Sequence, residues 1–146
     1  MSGTFTASAE PARTRNVATL TTYFLLLSSL DIDNWIKLWA PDCEVIAPYT
    51  PGGVPAVING REQLRVFYAA EAAKYKHLRY PDTEIWPLLD PRRAVARWFP
   101  RAELVSGGGY QNENVGFFEF TDDGLISRFV EYFNPLPLQI TKAAGE

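Results

Sequence analysis

Cysteine, histidine and long apolar runs are all scarce in this sequence of 146 residues. The single cysteine, Cys43, cannot form an internal disulfide, and with the single histidine it cannot build a zinc cluster. The apolar run from Tyr23 to Leu27 is far too short to span a bilayer. The sequence therefore predicts a protein of the reducing cytoplasm, without a metal and without a membrane partner.

A strong excess of either charge is also lacking, because 14 basic residues stand against 17 acidic residues and the net charge is −3. A surface that binds nucleic acid needs an excess of positive charge, so nucleic acid is not a predicted partner. No glycine-rich phosphate loop, nucleophile elbow or helical pair of metal ligands is present. These absences predict chemistry without a cofactor.

Apolar and aromatic residues, by contrast, are abundant. Hydrophobic residues make up 47% of the sequence and aromatic residues 14%, which is enough for the core of one compact domain. We place this domain at residues 11–138. Small and polar residues predict flexible tails at residues 1–10 and 139–146.

Three helices are predicted in the first half of the chain. Residues 16–30 are dense in apolar side chains, and Asp33 is placed to cap a short second helix that ends at Pro41. A capping-box pattern that starts at Asn59 precedes a third helix over residues 61–75.

Strands make up the second half, where β-branched and aromatic segments alternate with turn signals. Helices followed by an antiparallel meander predict an α+β fold. In this fold a curved, mostly antiparallel sheet wraps around three N-terminal helices as a cone-shaped barrel, with a ligand cavity at its open mouth. The predicted strands are residues 43–48, 56–58, 83–89, 94–105, 110–120 and 126–133.

The last predicted strand has two unlike faces, because side chains two residues apart point the same way. If the face with Glu131 lines the cone, burial between Phe129 and Phe133 raises its pKa and makes it an acid or base near neutrality. The alternative is that Glu131 faces solvent. The first face carries Ser127, Phe129, Glu131 and Phe133, and the other carries Ile126, Arg128, Val130 and Tyr132.

Arg101 and Glu103 form a second candidate catalytic group. They share a face if the strand stays regular after Pro100. If both converge on Glu131, the arginine would keep one carboxylate ionised as a base and leave the other protonated as an acid. The alternative is an exposed, weak salt bridge.

Further polar and aromatic residues are candidates for substrate binding. Asn112 and Asn114 share a strand face and could orient a polar substrate, or they could bond loops and water. Tyr23 could donate its hydroxyl into the cavity, or satisfy it on a neighbouring backbone group. The predicted aromatic residues of the core or cavity wall are Trp39, Tyr68, Phe129 and Phe133.

Four segments resemble the nuclear transport factor 2-like superfamily, in particular its SnoaL-like and phenazine-biosynthesis (PhzA/PhzB-type) branch. This resemblance implies the same cone, and it implies an acid/base role for Glu131, which falls on the glutamate of a phenazine-type segment. The segments are DIDNWIKLWAPDCEV, PGGVPAVINGREQL, YPD and YQNENVGFFEFTDDGLISRFVEYFNPL, at residues 31–45, 51–64, 80–82 and 110–136.

Other members of the superfamily match less completely. In ketosteroid-isomerase-like members Tyr23 falls on the oxyanion tyrosine, but Ala47 and Gly116 occupy the positions of the two catalytic acids, which disfavours steroid-type isomerisation. Phe67 takes the place of the phenazine-type histidine. His77 falls in a loop after the third helix and is not a candidate.

The sequence thus predicts an acid/base enzyme of secondary-metabolite biosynthesis that cyclises, condenses, isomerises or dehydrates a small aromatic or polyketide-like substrate. Glu131 would move the proton, and Tyr23 or Arg101 would stabilise the oxyanion. Two alternatives stay open. Arg101, Glu103 and Glu131 resemble the residues of limonene-epoxide-hydrolase-like members, which implies an epoxide hydrolase, and the cone could also be a ligand carrier or assembly module. Outward aromatic residues predict a homodimer: Trp98, Phe117 and Tyr132.

Overall fold

The computed structural model describes residues 9–138, so the first eight residues of the predicted N-terminal tail (1–10) and all of the predicted C-terminal tail (139–146) lie outside the described residues. The helices are α1 (Glu10–Ser28), α2 (Ile32–Trp35), which a single 3-10 turn (Ile36–Leu38) extends, and α3 (Arg61–Ala72). The strands are β1 (Trp39–Ile46), β2 (Val57–Asn59), β3 (Tyr75–Arg79), β4 (Glu84–Pro87), β5 (Arg93–Trp98), β6 (Arg101–Leu104), β7 (Gly109–Gln111), β8 (Asn114–Phe120) and β9 (Ile126–Phe133).

Helix α1 begins six residues earlier than the sequence predicts. Glu10, which was assigned to the tail, is its first residue, and a proline follows in the first turn, where the missing N–H costs nothing. Arg13 anchors this turn by donating to the backbone oxygens of Leu88 and Leu89. These start signals precede the apolar run, so a prediction based on apolar density misses them.

The second helix also differs from its prediction. Its cap is Asp31, whose Oδ1 accepts from the Asn34 backbone N–H at 3.2 Å, rather than Asp33. Trp39 and Pro41 belong to strand β1 instead of the end of a helix. Pro41 is tolerated there because the pairing of β1 with β9 shifts register between Trp39 and Glu44, where a missing donor breaks no regular ladder.

The capping residue of α3 is Gly60, not Asn59. Gly60 has a φ of 88°, a conformation that glycine adopts without strain. The helix ends at Ala72, earlier than predicted, and Tyr75 starts strand β3. His77 therefore lies in a strand, paired with Glu103 of β6, and not in a loop.

Two long predicted strands are each divided between two sheets. Pro100 separates β5 from β6, because it cannot donate to a ladder. Asn112 separates β7 from β8, and its Oδ1 accepts from the backbone N–H of Glu113 at 2.8 Å. The six-stranded sheet has the order β2-β1-β9-β8-β5-β4, and the three-stranded sheet has the order β3-β6-β7.

All strand pairs are antiparallel except β1 with β9, which run parallel. Helix α1 packs against β3, β4 and β5, and α3 packs against β1 and β2. The predicted α+β class is confirmed, with a curved, mostly antiparallel sheet around N-terminal helices. Within residues 9–138, no helix is both long and apolar enough to cross a membrane.

Strand β9 follows the predicted alternation only at its second half. Phe129 is fully buried, and Tyr132 is 37% exposed on the opposite face. Ile126, predicted to face outward, is fully buried as well. The reason is a register shift in the pairing of β8 with β9, in which Ser127 is an extra residue on β9 and reverses the faces at the start of that strand.

Gly116 on β8 is required by the packing of two aromatic rings. A methyl group at this position would lie 2.3 Å from Phe129 Cε1 and 2.8 Å from Trp98 Cη2. We expect Gly116→Ala to lower the free energy of unfolding by about 1–3 kcal/mol, because buried rings must move to admit the methyl group. Chemical denaturation measures this loss.

Gly109→Ala in strand β7 is the matched control, since its added methyl group would meet only the Ala102 oxygen at 3.4 Å. A Gly116→Ala protein as stable as the Gly109→Ala protein would contradict the packing described here.

The outward aromatic residues form a small exposed group on the large sheet. The rings of Phe117 and Tyr132 contact each other edge to face, with centroids 6.0 Å apart, and Tyr49 contacts Tyr132. Trp98, also predicted to face outward, is buried instead, because the ladder of β5 turns its ring toward Phe118 and Phe129. The homodimer stays a prediction that now rests on Phe117 and Tyr132.

Candidate active site

A cavity of about 150 Å³ opens inside the cone, between the helices and the concave face of the sheets. A volume of this size admits a benzene-sized ring. Aliphatic residues and aromatic rings form most of its wall, and the polar groups are few. The polar or ionisable residues of the lining are Tyr23, Tyr68, Glu71, Tyr75, Tyr80, Tyr110, Asn114 and Glu131.

Glu131 reaches this cavity from strand β9. Burial among apolar and aromatic groups raises the pKa of the Glu131 carboxyl to about 7, because desolvation penalises the charged form. One contact acts in the opposite direction. Asn114 Nδ2 donates to Glu131 Oε2 at 3.3 Å, which favours the carboxylate and lowers its pKa. The side chain is therefore poised between its two protonation states near neutral pH.

Five tyrosines surround the Glu131 carboxyl. Burial raises the pKa of each phenol, and the nearby charge of Glu131 raises it further, so all five stay neutral and keep their hydroxyl hydrogens. They come from four elements and one loop: Tyr23 from α1, Tyr68 from α3, Tyr75 from β3, Tyr110 from β7, and Tyr80 from the residues after β3.

Two of these phenols, Tyr23 and Tyr68, both line the cavity and influence each other's pKa. Tyr68 also packs on Trp35, with ring centroids 4.4 Å apart. Tyr23 and Tyr68 thus place two neutral hydroxyl groups in the cavity wall.

Two other groups fix the polar end of the cavity. Asn112 Nδ2 donates to the Tyr110 hydroxyl at 2.8 Å and to the Asn134 backbone oxygen at 2.9 Å. Glu71 of α3 also lines the cavity and forms an ion pair with Lys74 at 3.0 Å. Asn112 thus orients a cavity tyrosine without itself lining the cavity.

Arg101 and Glu103 do not converge on Glu131. Arg101 Nη1 donates to the backbone oxygens of Pro100 and Asn112, at 2.8 Å and 3.0 Å. Glu103 is exposed and pairs with Lys76 at 3.6 Å. Both residues line a separate outer groove on the three-stranded sheet, since Pro100 moves β6 out of the sheet that carries Glu131. This placement corrects the predicted catalytic group.

The predicted binding residues divide in a similar way. Tyr68, Asn114 and Phe133 line the cavity, and so does the predicted hydroxyl donor Tyr23. Trp39 and Phe129 are fully buried core residues outside the lining, where they contact each other at 6.1 Å between ring centroids. With Asn112, they are corrected from substrate-binding to supporting residues.

Sequence reasoning missed four cavity residues. Glu71 has no distinguishing pattern in the predicted third helix, but Tyr75, Tyr80 and Tyr110 share one usable signal. Each tyrosine stands at the start or end of an apolar or turn segment. A tyrosine ring is apolar except for its hydroxyl group, and this combination suits the wall of a cavity. Their convergence depends on contacts between distant strands, which spacing alone does not reveal.

The positions that carry catalytic acids in ketosteroid-isomerase-like proteins hold no acid in this cavity. Ala47 lines the wall with a methyl group only. Gly116 lies directly opposite Glu131 on the neighbouring strand, and the two rings described above leave no room there for a side chain. Among residues 9–138, Glu131 is therefore the carboxyl group that the six-stranded sheet contributes to this cavity.

A curved, mostly antiparallel sheet that follows N-terminal helices and encloses a cavity with them is the architecture of nuclear transport factor 2-like proteins. The SnoaL-like domain family matches residues 20–129, which is most of the sequence. The chain belongs to this family. The resemblance found in the sequence is thereby confirmed.

Known proteins share this sequence pattern and fold. An uncharacterized PhzA/B-like protein of Pseudomonas aeruginosa is 27% identical over 116 residues, covering 76% of this chain and 78% of its own. The crystal structure of a phenazine biosynthesis-related protein from Pseudomonas aeruginosa has a TM-score of 0.77 at 21% identity, covering 91% of this chain and 88% of its own. The crystal structure of the BvnE pinacolase of Penicillium brevicompactum has a TM-score of 0.76 at 18% identity, covering 91% of this chain and 95% of its own. The two structures show a common fold.

Proposed function

We propose that this chain is a cofactor-independent acid/base enzyme of secondary-metabolite biosynthesis, with Glu131 as the group that moves the proton. The observation that carries the proposal is the Glu131 carboxyl group, whose pKa is raised to about 7 by burial in a tyrosine-lined cavity. A general acid or base works best when its pKa lies near the working pH. Glu131 meets that condition.

The Glu131 carboxylate would take a proton from a carbon atom next to a carbonyl group of the substrate. The C–H bond breaks, its electron pair moves into the carbonyl, and the carbonyl oxygen becomes an enolate oxyanion. The hydroxyls of Tyr23 and Tyr68, which line the cavity and stay neutral, are placed to donate to that oxyanion.

The proton held by Glu131 then completes the reaction. If Glu131 returns this proton to a different carbon atom, the product is an isomer of the substrate. If it gives the proton to a leaving hydroxyl group, the product is the dehydrated compound. If the enolate carbon instead attacks a second carbonyl of the same substrate, a ring closes and Glu131 protonates the new alkoxide. One carboxyl group near neutrality therefore serves isomerisation, dehydration and cyclisation alike.

The names of the related proteins support this class of reaction. One protein with the same fold is named as phenazine biosynthesis-related, and another is named as a pinacolase. The outer position of Arg101 and Glu103 argues against an epoxide hydrolase. Glu131 then lacks the neighbouring arginine with which that enzyme would activate a water molecule. The acid/base mechanism needs only groups that line the cavity.

Exchange of carbon-bound hydrogen for deuterium tests the proposal without knowledge of the natural substrate. We expect the protein to accelerate deuterium uptake into 2-indanone, a ketone with one aromatic ring and acidic CH₂ groups, in D₂O. Since only the carboxylate removes the proton, the rate should rise with pH and reach half its maximum near a pH of about 7. Proton NMR measures the rate.

The Glu103→Gln protein, altered at an exposed carboxylate that pairs only with Lys76, is the control and should retain the full rate. A rate that does not exceed that of buffer at any pH would argue against the proposed enzyme.

A further inference from the structure

The charged side chains of the cavity are all acidic. Glu131 and Glu71 line it, and among residues 9–138 no lysine, arginine or histidine does. Lys74 pairs with Glu71 but lies outside the lining. A negative ligand would therefore meet two carboxyl groups and no cation. In a desolvated site such repulsion is far stronger than in water.

The neutral polar groups of the cavity are suited to hydroxyl and amino groups. The five phenols keep their hydrogens and can both donate and accept, and the carboxylate oxygens of Glu131 and Glu71 accept from O–H or N–H donors. Aromatic faces of Tyr68, Trp98 and Phe67 also line the cavity, and such faces attract positive charge. Donors and cations thus find partners here, whereas anions do not.

Resting on the function proposed above, we infer the substrate class of this cavity: an uncharged or cationic single-ring compound that carries hydroxyl or amino groups, with carboxylated and phosphorylated compounds excluded. The cavity volume of about 150 Å³ limits the ligand to one ring, and the acidic residues of the lining exclude a negatively charged ligand. Glu71 is the residue that extends this selection beyond Glu131, since it adds a second carboxylate to the wall.

Three probes of matched size test the inference: benzyl alcohol, benzylamine and benzoate. Isothermal titration calorimetry at a pH above 7, where Glu131 is a carboxylate, should show saturable binding of the first two. Benzoate should bind at least about tenfold more weakly than benzyl alcohol, because it adds a negative charge to the same ring. Saturable binding of none of the probes would overturn the inference.

Substitution then shows whether the two carboxylates cause the selection. In the Glu71→Gln/Glu131→Gln protein, benzoate should bind within about threefold of benzyl alcohol, and benzylamine should lose at least about tenfold in affinity. The Glu71→Gln protein should show part of both changes, which keeps the test decisive if the double variant fails to fold. Glu103→Gln removes the same charge outside the cavity and should change nothing.

Benzoate bound by the unaltered protein as tightly as benzyl alcohol would overturn the inference, and so would relief of the exclusion by Glu103→Gln. The binding assay is independent of catalysis. Selective binding without deuterium exchange would refute the proposed enzyme and leave the ligand class standing. Exchange activity together with tight benzoate binding would refute the ligand class alone.

Discussion

The Glu131→Gln protein is expected to exchange the hydrogens of 2-indanone about 10²–10⁴-fold more slowly than the unaltered protein. Glutamine has nearly the shape of glutamate and can still accept from Asn114 Nδ2, but it cannot take up a proton. The cavity should therefore keep its form and lose only its base. Proton NMR in D₂O at a pH above 7 measures the loss.

Two controls separate chemistry from folding in this experiment. Circular dichroism should show that the Glu131→Gln protein is folded, and Glu103→Gln should exchange at the full rate because Glu103 lies outside the cavity. Undiminished exchange by a folded Glu131→Gln protein would rule out Glu131 as the base.

The stability of the protein should fall as the pH rises from about 4.5 to about 7, and Glu131 should be responsible. Its pKa is about 7 in the folded protein and near 4.5 in the unfolded chain, so the folded state binds the proton more tightly. The stabilising contribution is complete below pH 4.5 and is lost as the pH passes through 7. The difference corresponds to about 3 kcal/mol, since one pKa unit is worth 1.36 kcal/mol.

Urea denaturation at pH 4 and pH 8 measures this effect as a difference between two proteins. Relative to the unaltered protein, Glu131→Gln should gain about 3 kcal/mol between these pH values, because an amide does not ionise when the pH rises. Glu62→Gln should show the opposite sign, since the hydrogen bond from Arg65 lowers the pKa of Glu62. Equal pH dependence in the unaltered and Glu131→Gln proteins would contradict burial of this carboxyl group.

The placement of Glu131 could be predicted because it depends on a local and regular property. From Phe129 to Phe133 the predicted face of β9 points into the cone, since Phe129 is buried in the core and Glu131 and Phe133 line the cavity, so period-two reasoning assigns the face correctly there. The same reasoning fails at Ile126, because Ser127 is an extra residue in the pairing of β9 with β8 and reverses the faces. An extra residue of this kind is defined by the pairing of two strands and is invisible in a single segment.

The misplacement of Arg101 has a comparable cause. Pro100 marked an irregularity in the sequence, and the structure shows that it transfers the chain from one sheet to another. Local patterns can signal that a strand is interrupted, but the sheet that the chain joins next is decided by long-range pairing, here of β6 with β3 and β7.

Helix propensity misled the prediction at the end of α3. Residues 69–74 are mostly alanine, glutamate and lysine, which favour a helix, yet the helix ends at Ala72 and Tyr75 begins a strand. The pairing of β3 with β6 outweighs a local preference that amounts to only a few tenths of a kcal/mol per residue. The same pairing places Tyr75 in the cavity wall, where it joins Tyr80 and Tyr110.

The proposed acid/base role requires the Glu131 carboxyl group to change its protonation state near neutral pH inside this cavity. Carbon-13 NMR of protein labelled at its glutamate carboxyl groups follows this change, with the Glu131 signal assigned by its absence from the Glu131→Gln protein. We expect this signal to titrate with a midpoint at about pH 7. A midpoint at the ordinary glutamate value, near pH 4.3, would show a solvated carboxylate and would contradict the proposed acid/base role.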